Sequence, residues 1–211
     1  MIDQQAIKKS YSLDKFLKLR EKENYKVQKI IQERYALLDE KDQLTDDEIS
    51  KFCIGIGVDD SNRFDNFLEI APKLSDQQYW NWLPQFYTCT DNTYRYKNII
   101  KTVFGSNRSK KKYLMTDEER EFLNNLDDKI TIYRGMTVQE RDSDEFGISW
   151  TLDEEVAKFY RDDYRRNYAT ANKTKCIVQK TINKSDVVAY LNERNEQEVI
   201  YLGRSNFDSE K

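Results

Sequence analysis

Hydrophobic residues repeat at intervals of three or four over much of the first 125 residues, a spacing that places them on one face of a helix. The longest such stretch runs from about residue 12 to residue 40, and charged residues fill its other faces. Its apolar stripe consists of Leu13, Phe16, Leu17, Val27, Ile30, Ile31 and Leu38, with Arg34 in the same row. We predict further helices over residues 46–53, 63–70, 76–88, 92–104, 117–125 and 152–167.

Hydroxyl residues mark the starts of four of these helices. In each case a Ser or Thr is followed three residues later by Glu or Gln. The hydroxyl can then accept a hydrogen bond from a free backbone N–H, while the later side chain bonds back to the start of the helix. The pairs are Thr45 with Glu48, Ser75 with Gln78, Thr116 with Glu119, and Thr151 with Glu154.

The pattern changes near residue 129 from helical spacing to alternation. Residues 129–134 alternate and are rich in β-branched side chains, which is typical of a strand. Residues 174–182, 186–190 and 197–202 show the same pattern. The sequence therefore predicts an α+β fold. An N-terminal helical lobe, residues 1–128, is expected to pack on a strand-rich lobe, residues 129–211, with one core shared between them.

The overall composition is polar, yet it favours a folded protein. Charged residues make up 35% of the 211 residues and the mean hydropathy is -0.91, but aromatic residues reach 13%. Aromatic side chains bury large areas each and can supply a core. The net charge of -3 does not favour a nucleic-acid partner. No apolar run is long enough to span a bilayer or to form a signal peptide, so a cytoplasmic protein is expected.

The cysteine and histidine contents limit the chemistry that is available. Cys53, Cys89 and Cys176 are scattered without metal-ligand spacing, which favours reduced thiols. The chain has no histidine, and this excludes Ser-His-Asp and Cys-His triads and the common His-containing zinc sites. Any catalysis would have to use carboxylates, hydroxyls, Arg, Lys or Tyr.

Two carboxylates stand two residues apart near the end of the chain. Glu196 and Glu198 would point to the same face of a strand. An edge strand with both charges in water is one explanation. The other places Glu198 in a cleft, where it would hydrogen-bond a ribose hydroxyl and stabilise an oxocarbenium-like transition state. Glu196 would then orient or deprotonate the attacking nucleophile.

A cation and a pair of hydroxyls precede these carboxylates. Arg134 ends the first predicted strand, where its guanidinium can grip a phosphate, and Gly135 allows a ligand to approach the backbone or allows a positive φ. A surface arginine in a turn is the alternative. Ser149 can donate a hydrogen bond to the catalytic carboxylate. Thr151 is better explained as a helix N-cap, and Trp150 as a core residue.

The order of these motifs resembles a known family. Tyr133-Arg134-Gly135, then FGISWTLDEEVAKFY (146–160), then NEQEVIYLG (195–203) resemble the R-S-E class of mono-ADP-ribosyltransferases, especially its small phage-encoded and toxin-like members. The likeness covers about residues 115–205. Trp150 replaces the usual small central residue of the S-T-S segment, and Thr151 replaces its last Ser.

The resemblance implies a fold, a substrate and roles for the site residues. The core would be a split pair of antiparallel sheets around a cleft for NAD, and NAD would be the substrate. Arg134, Gly135, Ser149 and Thr151 would contact NAD. Glu198 would be the catalytic glutamate, and Glu196 would direct transfer to arginine. Phe159, Tyr160 and Tyr164 lie on the following helix. One of them, with Phe159 as the assigned residue, could stack on the nicotinamide ring, although aromatic residues at helical spacing are more often core residues. No metal would be required.

The resemblance also implies a partner, and three functions stay open. An ADP-ribosyltransferase would modify a protein side chain, expected to be arginine, on a target such as a host protein in the host cytoplasm. An NAD glycohydrolase would share the first half-reaction and use water as acceptor. A binding module would keep the fold without catalysis and sequester a host protein or nucleic acid, with Arg108–Lys112 in its working surface. That basic run is otherwise read as a solvated loop.

Overall fold

A computed structural model describes residues 4–91, 93–162 and 172–203 of the chain. Within these ranges, no helix has both the length and the apolar character needed to cross a membrane. The chain divides into two compact units. The first comprises Met1–Tyr79 and Gln85–Asp91, and the second comprises Trp80–Pro84 and Asn92–Lys211.

The first unit is helical and its core is aromatic. It contains α1 (Gln4–Glu40), α2 (Asp46–Ile54), α3 (Arg63–Ile70) and both ends of α4 (Asp76–Thr88). Helix α1 begins earlier than the predicted start at residue 12. The ring of Phe67 is fully buried and lies 5.3 Å from the rings of both Tyr79 and Phe86. Tilted aromatic pairs at such distances stabilise a core beyond the area they bury.

Three of the four predicted capping boxes are confirmed. The hydroxyls of Thr45, Ser75 and Thr116 each accept a hydrogen bond from the backbone N–H three residues later, and the side chain there bonds back to the cap. Helices α2, α4 and α6 (Asp117–Asn125) therefore begin where the sequence predicts. The local pairing of a hydroxyl with a carboxylate or amide fixes these starts without help from distant residues.

The second unit carries the remaining helices and all strands that the structure describes. A 3-10 turn at Thr93–Tyr96 leads into α5 (Lys97–Phe104), where the sequence predicts one helix over 92–104; residue 92 lies outside the described residues. Helix α7 (Val138–Ser143) was not predicted. Helix α8 is described over Glu154–Asp162, and residues 163–167 of the predicted helix lie outside the described residues.

Five strands form one antiparallel sheet in the order β3-β1-β2-β5-β4. They are β1 (Lys129–Thr137), β2 (Ser149–Thr151), β3 (Lys175–Asn183), β4 (Val187–Leu191) and β5 (Glu198–Tyr201). The predicted α+β class is confirmed, with helices first and the sheet after them. Strands β1 and β3 pair along nine residues, whereas β1 and β2 pair only at Tyr133 and Thr151. The sheet is therefore narrowly joined at its centre.

The two faces of β1 have different neighbours. Ile130, Ile132 and Met136 point into the core of the second unit together with Trp150, which confirms the predicted core position of Trp150. Gly135 belongs to the other face, because successive strand residues alternate. Helix α8 packs against that face of the strand. The predicted division of the chain at residue 128 stays a prediction.

Candidate active site

The register of β2 and β5 brings the predicted hydroxyls and one carboxylate to the same face of the sheet. Thr151 lies opposite Glu198, and Trp150 lies opposite Val199. Opposite residues of antiparallel strands share a face. Ser149, two residues before Thr151, therefore shares a face with Glu198, while Trp150 points to the core.

Glu198 is a buried carboxylate with a hydroxyl partner. Its residue is only 5% exposed, and Ser149 Oγ donates a hydrogen bond of 2.5 Å to its Oε1. Acidic residues are rarely this buried unless they are paired. The sequence placed these two side chains together across 49 residues of chain, and the structure brings them into contact.

Glu196 lies near Glu198, but it is not part of the same strand. It precedes β5 and lies in a turn, because Asn195 and Gln197 adopt left-handed φ values of 56° and 46°. The prediction that Glu196 and Glu198 share one strand was therefore wrong. The two carboxylates nevertheless converge on one cation: Arg194 Nη2 lies 2.7 Å from Glu196 Oε2 and 3.7 Å from Glu198 Oε2.

Tyr160 completes this cluster, and the sequence did not single it out as a partner of the carboxylates. Its hydroxyl donates a hydrogen bond of 2.6 Å to Glu196 Oε1. Burial, and then the bond to this carboxylate, raise the pKa of the Tyr160 phenol well above its usual value. The tyrosine therefore stays a hydrogen-bond donor over the whole physiological range.

The aromatic residue beside it points elsewhere. Phe159, the predicted partner of a nicotinamide ring, is 48% exposed, and its ring meets Tyr160 edge-on at 5.6 Å. Phe159 and Tyr160 lie on different faces of α8. Tyr160 comes four residues after Val156 and three after Ala157, so it shares the face of α8 that packs on the sheet. That spacing is the signal that could have selected Tyr160 from the sequence.

Thr151 holds the surrounding backbone together. The prediction that it caps the following helix was wrong: it lies in β2, helix α8 begins at Glu154, and Asp153 Oδ1 accepts from a backbone N–H of its first turn. The Thr151 hydroxyl donates to the carbonyl of Glu196 at 2.7 Å and accepts from the N–H of Asp153 at 3.0 Å. It is 6% exposed and therefore serves the protein backbone.

The Arg134 side chain starts from the face of the sheet opposite to the one that carries Glu198. Tyr133 pairs with Thr151, so Tyr133 shares the face of Thr151 and Glu198. Arg134 is the next residue along a regular strand and starts from the other face. It lies inside β1, which continues to Thr137, and so does not end the strand as predicted.

The Arg134 guanidinium ties three segments together. Its Nε and Nη2 donate to Glu140 Oε1 at 3.0 and 2.9 Å, and its Nη1 donates to the Ser149 carbonyl at 2.6 Å. The N–H of Gly147 donates to the same Glu140 oxygen at 3.1 Å, and a Cβ at Gly147 would lie 2.5 Å from Arg134 Nη2. This network fixes the entry into β2, and through it the position of Ser149.

Gly135 has a different reason for being glycine from those the sequence suggests. It has no positive φ, and a Cβ there would lie 2.3 Å from the carbonyl oxygen of Ala157 and 2.7 Å from the backbone nitrogen of Arg161. The close approach that Gly135 permits is thus that of helix α8. This contact holds α8 close to the sheet, and Tyr160 on α8 can therefore reach Glu196.

The basic run is partly built into the second unit. Lys111 Nζ donates to the Phe104 carbonyl at 3.0 Å and lies 5.1 Å from the centre of the Trp80 ring. Burial lowers the pKa of Lys111. The indole N–H of Trp80 in turn donates to the Ser109 carbonyl at 2.8 Å. These contacts give the segment a structural role and leave fewer of its charges to face a nucleic acid.

No family model, curated protein or solved structure matches this chain. The resemblance to ADP-ribosyltransferases therefore stays a prediction from the sequence motifs. Over the described ranges, no group of three or more acidic or cysteine side chains is arranged to hold a metal ion.

Proposed function

We propose that the protein is an NAD-dependent mono-ADP-ribosyltransferase that transfers ADP-ribose to an arginine side chain of a protein. One observation carries the proposal: a buried glutamate, Glu198, accepts a hydrogen bond from Ser149 and lies beside a second carboxylate, Glu196. A paired arrangement of carboxylates suits chemistry in which a sugar carbon gains positive charge.

Glu198 is the residue assigned to the ribose of NAD. Ser149 holds Oε1, so the carboxylate is fixed before the substrate arrives and needs no reorganisation as charge develops. Its second oxygen, Oε2, faces Arg194. In the proposed reaction this carboxylate accepts a hydrogen bond from a ribose hydroxyl and stabilises the cationic sugar as the bond to nicotinamide breaks.

Glu196 is the residue assigned to the acceptor. Tyr160 holds its Oε1, and its Oε2 already bonds one guanidinium nitrogen, that of Arg194. A carboxylate in this arrangement recognises a guanidinium and can take up its proton as the new bond to the ribose forms. Arg134 acts as a positioning residue in this scheme. A direct contact between Arg134 and a phosphate of NAD would have to replace its bonds to Glu140.

The sheet supports the proposed fold family. Its two parts, β3-β1 and β2-β5-β4, join at a single residue pair between β1 and β2. This narrow junction supports the proposal in part, because the described strands form one sheet where the resemblance implies a split pair. A host protein as target, a phage or toxin-like origin and a cytoplasmic location stay predictions.

The test measures nicotinamide release from NAD by the whole chain, together with transfer of labelled ADP-ribose to proteins of a cell lysate. We expect release by the natural protein and its loss in Glu198→Gln, which keeps the shape of the side chain but removes the charge. Glu48→Gln, in the first unit, is the matched control and should release nicotinamide normally. Equal activity of both variants would remove Glu198 from the reaction.

A glycohydrolase is the second candidate, because both oxygens of Glu196 are already engaged by Tyr160 and Arg194. If that engagement persists with NAD bound, an arginine of another protein cannot reach Glu196, and water can act as the acceptor instead. Free ADP-ribose without protein-bound label would identify this activity. If the protein releases no nicotinamide from NAD and NAD does not raise its melting temperature, a non-catalytic binding module is the remaining explanation.

A further inference from the structure

The guanidinium of Arg194 occupies the position that an acceptor arginine would take. Its Nη2 lies 2.7 Å from Glu196 Oε2, the carboxylate assigned to the acceptor, and 3.7 Å from Glu198 Oε2, the carboxylate assigned to the ribose. The Arg194 side chain is 42% exposed, whereas the side chain of Glu198 is 6% exposed. The arginine thus reaches the two carboxylates from the solvent side.

The two carboxylates make the same kinds of contact among the described residues. Tyr160 donates to Glu196 Oε1 and Ser149 donates to Glu198 Oε1, so a hydroxyl group bonds one oxygen of each carboxylate. The Oε2 atoms both face Arg194. Arg194 Nη2 therefore lies next to both Glu196, the predicted proton acceptor, and Glu198, the carboxylate assigned to the ribose.

The backbone keeps this arginine in place. Asn195 and Gln197 both have positive φ, which is uncommon for residues other than glycine and is unfavourable for a long side chain such as Gln197. Two bonds to Asn192 hold the turn: its carbonyl accepts from Asn195 N–H at 2.9 Å, and its Oδ1 accepts from Gln197 N–H at 3.0 Å. The chain thus folds back so that Arg194 meets the carboxylate two residues after it.

We propose that Arg194 is an intramolecular acceptor, so that the protein transfers ADP-ribose from NAD to its own Arg194. In the reaction, the bond between the ribose carbon and the nicotinamide nitrogen breaks, and nicotinamide leaves with the electron pair. An Arg194 nitrogen forms the new carbon–nitrogen bond, and its proton passes to Glu196 and then to water. Modification removes the Arg194 guanidinium from between the carboxylates, and another arginine can then bind there. The inference rests on the proposed transferase activity.

The experiment incubates the intact protein with NAD and follows two quantities. Nicotinamide release is measured in solution, and ADP-ribose on the peptide that contains Arg194 is measured by mass spectrometry. Arg194→Lys is compared with Arg141→Lys, because Arg141 is also exposed and also lies beside an acidic residue in the second unit. The rate of modification per molecule is measured at several protein concentrations, because an intramolecular transfer is independent of concentration.

We expect label on Arg194 at a rate that dilution does not change, loss of that label in Arg194→Lys, and its retention in Arg141→Lys. Nicotinamide release with Arg194 unmodified would overturn this inference and leave the proposed activity standing. A rate that falls with dilution would also overturn it, because one molecule would then be modifying another. Absence of nicotinamide release would overturn the activity and the inference together.

Discussion

Removal of the Ser149 hydroxyl should reveal how strongly the site holds its buried carboxylate. In Ser149→Ala the bond of 2.5 Å to Glu198 is lost, and the carboxylate stays in a position where only 5% of the residue meets solvent. Hydrogen bonds to charged groups contribute about 1.5–3 kcal/mol, and those between neutral groups about 0.5–1.5 kcal/mol. We therefore expect Ser149→Ala to lower the free energy of unfolding of the second unit by about 2 kcal/mol.

A double-mutant cycle with Glu198→Gln isolates the contribution of the charge. In the Gln background, loss of the hydroxyl removes a bond between neutral groups and should cost about 1 kcal/mol less than in the natural protein. Urea unfolding followed by tryptophan fluorescence is a suitable assay. All three tryptophans, Trp80, Trp82 and Trp150, belong to the second unit, so the signal reports on the unit that contains the site.

The same variants separate stability from chemistry. If Ser149 fixes Glu198 for the reaction, Ser149→Ala reduces nicotinamide release at temperatures where the variant is fully folded, and Ser149→Thr restores part of it. A coupling free energy near zero between the two positions would refute the reasoning, because it would mean that the hydroxyl does not sense the charge of Glu198.

Further predictions concern contacts inside each unit. Gly135→Ala should destabilise the second unit by about 3 kcal/mol, because its Cβ would meet the backbone of α8 and overpacking usually costs about 1–3 kcal/mol; thermal unfolding that matches the natural protein would contradict the packing. The bond from Lys41, and then the Thr45 N–H, lower the pKa of Glu48 from 4.5 to about 2. Glu48 should therefore stabilise the first unit fully above about pH 4.5 and lose this effect as the pH falls through 2, so the melting-temperature difference from Glu48→Gln should disappear over that window; a difference that persists at pH 2 would count against it. Burial raises the pKa of the Cys53 thiol to about 11, whereas Cys89 is exposed. A thiol reagent at pH 8 should label Cys89 and spare Cys53 in the folded protein, as measured by mass spectrometry of the labelled peptides. Label on Cys53 with Cys89 unlabelled would contradict this prediction.

The sequence predicts local features of the fold well, because neighbouring residues determine them. Three helix starts follow from side chains three residues apart, and the strands follow from alternation. The short strand β2 and helix α7 were harder to predict. A strand of three residues is too short for alternation to identify. Helix α7 begins after Thr137, whose hydroxyl accepts from the Glu140 N–H, but Thr137 also ends β1, so the strand pattern obscures this helix start.

The sequence predicts the site only in part. It paired Ser149 with Glu198, since two motifs in a known order implied the contact, and the structure brings the two together. It missed Arg194, whose position depends on a turn with two positive φ values, a three-dimensional feature that spacing along the chain does not encode. It placed Tyr160 on α8 but missed its bond to Glu196, which depends on the close packing of α8 over Gly135.

The three residues of β2 have a consequence for tolerance to substitution. Side chains alternate across this strand, so Ser149 and Thr151 serve the polar cluster while Trp150 fills the core behind it. A complete set of single substitutions should therefore show two opposite preferences at adjacent codons. Large apolar replacements would be accepted best at position 150 and small hydroxyl replacements at 149 and 151, and a functional selection would register both kinds of loss within nine nucleotides of coding sequence.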